Sequence, residues 1–366
     1  MAALDLSKAY NRGDSMVVED LYDMHVPGWL LAIICSYLSD RKMVLKYQQA
    51  TSNERNLPGG YGAGTWLGGF LFIIKFNGIC LRPPIPRPLS GNKGIQLKYI
   101  DDATKAATVN LRKSLIPDIQ NRCFPLNFNE RTQMVIKQEE NVLQHELDRF
   151  AEETARNNLV LNEKKTQIML LNFSREFAFP PEFFVGGKVL DVKSEMKILG
   201  VMIQNNLKWD AHINYITKKA SKSIWRLRRM KQLGVDNTTL ATFWKSEGRV
   251  HLEANCPVWA GAITQRQSRA LTRVQRKAVA TICEKEYNRG CIELNLELLP
   301  SRRTKLAQTF ASKTVKKSRH KDIFEELPNH HNTRRGKKIW KEPISRTNRH
   351  QKSPIPYLSR LLNNKP

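Results

Sequence analysis

The stretch LKYIDDATK, residues 97–105, decides the fold. IQLKYI (95–100) is short, apolar-rich and strand-like, and ATKAATVNL (103–111) reads as its hairpin return. Between them Asp101 and Asp102 stand side by side at the tip. Adjacent carboxylates repel each other unless something positive sits between them. Paired acids at a turn are commonly just solvated, so this pair needs further residues before it signals chemistry.

A third carboxylate supplies them. MAALDLSKAY (1–10) reads as the tail of a strand ending at Asp5, with Tyr10 and Asn11 five and six residues on. Strand-end carboxylates on neighbouring strands of one sheet bring their oxygens together. Such oxygens, with substrate phosphates, hold hard cations such as magnesium. Two metals about 4 Å apart clamp the attacking and leaving oxygens of a phosphoryl transfer. The pattern points to metal plus nucleotide between the acids.

The rest of the chain suits a polyanionic partner. Of 366 residues, 60 are Lys or Arg and 34 Asp or Glu, a net charge of +26. A field of that size favours nucleic acid. The last 66 residues alone hold 18 Lys and Arg against four Asp and Glu. Six cysteines (Cys35, Cys80, Cys123, Cys256, Cys283, Cys291) are scattered without a CxxC pair, so neither a disulfide framework nor a zinc finger is indicated. Asp5, Lys8 and Arg12 break up any signal peptide. The apolar run 57–74 holds six glycines and a proline, which argues against a membrane span. The expected setting is intracellular and reducing, nucleus or cytoplasm, with no membrane partner.

Periodicity predicts helices over 15–25, 27–40, 67–76, 139–156, 213–234 and 264–284, and strands over 42–47, 166–173 and 197–204. Leu143, Leu147, Phe150, Ala151 and Thr154 share one face of the fourth helix, and Ile213, Ile216, Ala220, Ile224 and Leu227 one face of the fifth. LPGGYGAGTW (57–66) is a glycine-rich loop, RPPIPRPLSGNKG (82–94) a proline-rich connector, and 112–138 an irregular insertion. Lys218, Lys219, Lys222, Arg226, Arg228 and Arg229 crowd the 213–234 helix and are candidate nucleic-acid contacts. The tail from 321 to 366 is expected to be basic and loosely ordered.

Five segments in order then resemble the reverse transcriptase of a non-LTR (LINE-type) retrotransposon: LDLSKAYN (4–11), GYGAGTWLGGFLF (60–72), YIDD (99–102), LVLNEKKTQIMLL (159–171) and KILGVMIQNNLKWDAHI (197–213). The stretch 251–282 is similar to a helical region that follows these polymerases. The resemblance implies an α+β fold: a palm with an antiparallel sheet and backing helices over 1–195, a thumb-like segment over 196–250, a helical domain over 251–320, and the tail. It implies RNA-directed DNA synthesis with an RNA template, a DNA primer, deoxynucleoside triphosphates and two magnesium ions, manganese being a substitute. Asp5, Asp101 and Asp102 would be the catalytic metal ligands, joined by the Leu6 carbonyl. Tyr10 would lie under the incoming sugar and obstruct a 2′-hydroxyl; alternatively it is an aromatic packed under the sheet. Gly64 and Thr65 would let backbone approach the template base and nucleotide. Lys165 would sit near the triphosphate, with Lys164 competing and an ordinary surface lysine as the plain reading. Trp209 and His212 fit packing as well as primer contact.

Two departures stand out. Gly62-Ala63-Gly64 occupies the place where the family usually carries Pro-Gln-Gly. Asp5 lies four residues from Met1, where the family has its fingers ahead of the first motif. A truncated copy or a gene model starting inside the polymerase is expected, with impaired activity. The alternative is a non-catalytic nucleic-acid-binding remnant of the element.

Overall fold

A three-residue strand, β1 (Ala2–Leu4), organises the N-terminal unit. It lies between β3 (Asp102–Ala107), itself in a hairpin with β2 (Gly94–Tyr99), and β4 (Gln167–Ile168). The order is β2-β3-β1-β4 and every pairing is antiparallel. Burial alternates along 2–6: Ala2, Leu4 and Leu6 are buried, while Ala3 and Asp5 are half-buried on the other face. That period of two is what a half-covered sheet imposes.

The computed structural model describes residues 1–7, 9–13, 15–57, 59–62, 64–78, 94–99, 102–107, 143–171, 182–316, 323–333 and 336–364. The insertion at 112–138 and nearly all of the proline-rich connector lie outside these residues. The chain divides into two compact units, Met1–Leu199 and Gly200–Pro366. Together they make a mixed helical and antiparallel-sheet protein, the α+β class expected.

In the first unit α1 (Val17–Asp23), α2 (Gly28–Leu38), α3 (Trp66–Gly78) and α4 (143–156) share one apolar core with the sheet. Leu143, Leu147, Phe150 and Thr154 of α4 are buried, at the spacing the sequence predicts. Leu21, Phe72 and Phe76 join them.

Three strand expectations are corrected. Residues 42–47 do not form one strand: Lys42–Met43 pairs with Arg55–Asn56, and Lys46–Tyr47 with Ala50–Thr51. These residues are nearly all exposed, so no buried face holds a longer strand straight. The run 197–204 breaks at Leu199 and Gly200, both at positive φ (46° and 83°), into Glu195–Ile198 and Val201–Gln204. Among the described residues 166–171 only Gln167–Ile168 is strand, because β1 offers just three residues to pair with.

The second unit is built on α5 (Asp210–Gln232), α6 (Gln265–Cys283), α7 (Leu299–Val315) and α8 (Pro354–Asn363). Ile213, Ile216, Ala220, Ile224 and Leu227 of α5 and Leu271, Val274, Ala278 and Ile282 of α6 enter one core with Trp244 and Trp259. Residues 213–227 and 271–282 therefore share one core. Gly234 (φ 80°) closes α5, with Gly234 N–H bonded to Lys231 O and Val235 N–H to Met230 O. Thr264 and Gln267 open α6 with a reciprocal cap.

The tail is not loose throughout. Its strands Glu326–Thr333 and Gly336–Trp340 form a hairpin. Leu358 and Leu362, one turn apart on α8, pack with Ala307 and Ala311 of α7 and with Phe324. The Asn363 amide accepts from Ile339 and Trp340 and donates to Trp340 O. YLSRLL (357–362) carries enough apolar spacing to dock despite the surrounding charge. Among the described residues no helix is long and apolar enough to cross a membrane.

His212 gives the second unit a pH dependence. It is buried, its Nδ1 accepts from Met202 N–H at 3.3 Å, and the Trp209 and Trp259 rings flank it at 5.9 and 5.6 Å. Burial lowers its pKa from 6.5 to about 4. The unfolded chain therefore takes up this proton first as pH falls. The neutral ring's contribution is fully present above 6.5 and is lost towards pH 4; it is worth up to about 3 kcal/mol. Urea denaturation followed by circular dichroism should show that loss between neutral and mildly acidic pH. His212→Phe should flatten it.

Candidate functional site

Asp5 directly follows β1, on the sheet face away from Ala2, Leu4 and Leu6. Its carbonyl accepts from Asn162 N–H at 2.8 Å, and Ser7 N–H donates to Val160 O at 2.7 Å. These two bonds flank an antiparallel bridge between Leu6 and Leu161, in which the Leu6 carbonyl takes no part. The chain on either side of Asp5 is thereby pinned. The β1–β3 register pairs Leu4 with Ala103. Asp5 thus directly follows, and Asp102, the first residue of β3, directly precedes, a paired residue. Asp101 lies outside the described residues.

Lys165 comes to the same place from the other flank. Its N–H and that of Thr166 bond to Asn162 O, closing a turn ahead of β4. Its Nζ stands 3.5 Å from Asp5 Oδ2. That oxygen is buried and has no hydrogen-bond partner among the described residues, whereas Lys165 is 68% exposed. A long ion pair with so open a partner is weak and exchangeable. Lys164 makes no comparable contact with a carboxylate among the described residues.

The glycine loop is strapped to the segment carrying Tyr10. Gly60 N–H donates to Gly13 O at 2.6 Å and Tyr61 N–H to Tyr10 O at 2.8 Å. Gly60 has φ 96°, and a Cβ there would sit 3.0 Å from Tyr10 O, so glycine is required. The Tyr10 ring lies 4.7 Å from that of Phe72 on α3, half-buried against the core. This packing fits the plain reading of Tyr10 and also fixes where its ring lies. Thr65 has a clear structural role: its hydroxyl accepts from Gly68 N–H at 3.0 Å and donates to Gly62 O at 2.8 Å, starting α3. Gly64, at φ 91°, has open space where a side chain would be. Sequence reasoning missed Arg41 and Tyr37. Arg41 Nη2 donates to Gly60 O and its guanidinium lies over the Tyr37 ring, holding the loop from behind. Nothing in their local sequence distinguishes them.

On α5 all six candidate cations, Lys218, Lys219, Lys222, Arg226, Arg228 and Arg229, are exposed on the face opposite the core. Lys219 lies over the Tyr215 ring at 4.9 Å, and Arg226 is 3.6 Å from Glu247. Trp225, 64% exposed, was not singled out from the sequence. Its spacing was the available signal: Lys218, Lys222, Trp225 and Arg229 fall at i, i+4, i+7 and i+11 on one ridge. Trp209 and His212, by contrast, pack inward.

No family model matches the chain. A curated protein of Drosophila melanogaster, "Probable RNA-directed DNA polymerase from transposon X-element", is 21% identical over 330 residues. The chain is related to a transposon reverse transcriptase. The match takes in 89% of this chain and 32% of that protein, so the chain spans about a third of its relative's length. It bears out the resemblance to non-LTR reverse transcriptases.

The contact between loop and helix yields a prediction. A Cβ on Gly68 would meet Tyr61 O at 2.1 Å, while Gly69, its neighbour on α3, has nothing within 4 Å. Gly68→Ala should destabilise the chain by about 1–3 kcal/mol through forced backbone shifts. Gly69→Ala should be neutral or stabilising by up to about 1 kcal/mol. Thermal melts of the two variants check the contrast.

Proposed function

We propose that the chain is the palm, thumb and following helical region of a non-LTR retrotransposon RNA-directed DNA polymerase. Residues 1–195 would be the palm and 196–250 the thumb. The observation that supports this reading is the pairing of Leu4 with Ala103, neighbours of Asp5 and Asp102, with Lys165 Nζ 3.5 Å from Asp5. The relationship to a transposon polymerase supports it.

The residues fit a hard divalent cation. Asp5 and Asp102 are carboxylates at strand ends, and Asp5 Oδ2 is a buried acceptor without a hydrogen-bond donor among the described residues. Asp5, Asp101 and Asp102, with the Leu6 carbonyl, would hold two magnesium ions or manganese. Such ions, when bound, lower the barrier by stabilising the charge on the attacking 3′-oxygen and on the leaving pyrophosphate. The protein's own groups position the reactants. Lys165, loosely paired with Asp5, would turn to the triphosphate of the incoming deoxynucleotide. Tyr10, its ring fixed against Phe72, would exclude a 2′-hydroxyl. Gly64, with open space around it, would let the template base approach, and Thr65 would hold the loop's end. The cations of α5, with Trp225 among them, would grip the RNA template and DNA primer through their phosphates.

Primer extension on an RNA template tests the reading. Magnesium-dependent extension that Asp5→Asn, Asp101→Asn and Asp102→Asn each abolish supports it. Tyr10→Val should admit ribonucleotides, and Lys165→Ala should raise the KM for deoxynucleotide. If the chain binds primer–template but no extension depends on these carboxylates, the alternative of a non-catalytic binding remnant takes its place.

Binding itself has a separate signature. Affinity for primer–template should fall by about a thousandfold between 50 and 200 mM salt if six or more phosphates are contacted. Removing Lys218, Lys222 and Arg229 together should make the log–log slope shallower by about 2. A slope unchanged in that variant would take the interface off α5.

A further inference from the structure

The second unit carries another basic surface, on α6. Arg269, Arg273 and Arg276 are all exposed and line a cleft of about 600 Å³ closed on one side by Pro300. From 264 to 283 there is no Asp or Glu. Among the described residues none of the three arginines has a carboxylate partner. Arg276 lies over the Tyr287 ring at 5.5 Å; three arginines without carboxylate partners converging on a cleft form a local anion trap.

The cleft is also backed by a buried charge. Arg303 is 4% exposed and donates from Nη2 to the hydroxyl of Ser268, a cleft residue, at 2.9 Å. Its Nη1 is buried without an acceptor among the described residues. The nearby acid Glu253 is already engaged, at 3.0 Å with Arg249 and 3.5 Å with Arg302. This buried guanidinium lies over the Trp259 ring at 5.8 Å and has no carboxylate in ion-pair contact among the described residues, so it adds to the potential at the cleft.

We propose that this cleft binds the sugar–phosphate backbone of a single RNA strand. The inference rests on the nucleic-acid reading above and adds a second contact surface to it. Arg269 to Arg276 spans about 10 Å of helix at 1.5 Å per residue. A stacked strand presents about three phosphates over that length. Arginine forks match phosphate oxygens in pairs. No aromatic ring lines the cleft, so it offers no platform for bases. Nor does a large apolar side chain line it, as a lipid surface would need. Between the arginines stand Gln265, Ser268 and Thr272. The Ser268 oxygen accepts from Arg303, so its hydrogen is left to donate. Thr272 donates to Ser268 O, so its oxygen is left to accept. Donors and acceptors side by side suit a 2′-hydroxyl, which is both and which DNA lacks.

Fluorescence anisotropy with a single-stranded RNA and a DNA of the same sequence tests this on the full chain. The expected result is tighter binding of RNA. The variant Arg269→Ala/Arg273→Ala/Arg276→Ala should weaken it about tenfold or more and reduce the log–log salt slope by about 2. Ser268→Ala/Thr272→Val should narrow the preference for RNA. Arg273→Glu, one change on the solvent side of α6, is the second probe should the triple variant fail to fold. Unchanged RNA affinity in folded variants overturns the cleft while leaving the α5 interface standing. DNA bound as tightly as RNA overturns the choice of strand. Failure of the wild-type chain to bind any nucleic acid overturns this proposal and the reading beneath it together. Carboxylate-dependent primer extension reports on the polymerase reading independently.

Discussion

The pairing of β1 on both of its edges is the constraint on which the N-terminal unit depends. Three residues are too few to be stable alone. They hold because β3 takes one edge, β4 takes the other, and the Leu6–Leu161 bridge continues the second pairing past Asp5. Each of these bonds fixes register, and in a sheet register decides faces. A slip of one residue would turn Asp5 into the core and Leu4 out to solvent. Core packing and carboxylate placement are therefore one requirement. The apolar side chains of Ala2, Leu4 and Leu6 enforce the position of the residue between them.

The second unit solves a different problem, how to carry a large positive charge on a folded body. Helical period separates the two demands. On α5 Ile213, Ile216, Ala220, Ile224 and Leu227 face inward, which leaves the lysines and arginines no place but the outside. On α6 the same rule turns Leu271, Val274 and Ala278 inward and Arg269, Arg273 and Arg276 outward. Like charges crowded on a helix face cost stability through repulsion. The apolar faces meet in one core with two fully buried tryptophans, Trp244 and Trp259, which offsets that cost.

Much of this was legible in the chain itself. The hairpin around YIDD, the strand before Asp5, the helices with apolar stripes and the cap at Gly234 follow from local rules of period and turn chemistry. What failed depended on partners distant in sequence. Residues 42–47 include the strand formers Val44 and Tyr47, yet no sheet face covers them, so they fold into short hairpins. The break at Leu199 is a left-handed backbone at a leucine, which no propensity foretells. The docking of α8 needed the complementary surface of α7, invisible in a stretch dominated by Lys and Arg. Within the candidate site, motifs could nominate residues but not the contacts that support them. Asp5 and Lys165 could be nominated from motif; that Lys165 would be the residue to meet Asp5 could not.

The difference between α5 and α6 bears on what a basic surface can recognise. The α5 ridge interleaves Trp225 with flexible cations on an open face, which suits any strand that can stack and shed counterions. In the α6 cleft the lining cations are all arginine, planar and forked, with Pro300 and small hydroxyls among them. A walled site with fixed donors can discriminate among backbones, because a group that fails to fit leaves polar atoms unpaired. An open ridge cannot. A protein that must hold nucleic acid without reading its sequence, and yet tell one kind of strand from another, has use for both surfaces. On the proposed reading, the charge excess of the chain is a division of labour: grip from the exposed ridge of α5, selection from the cleft of α6.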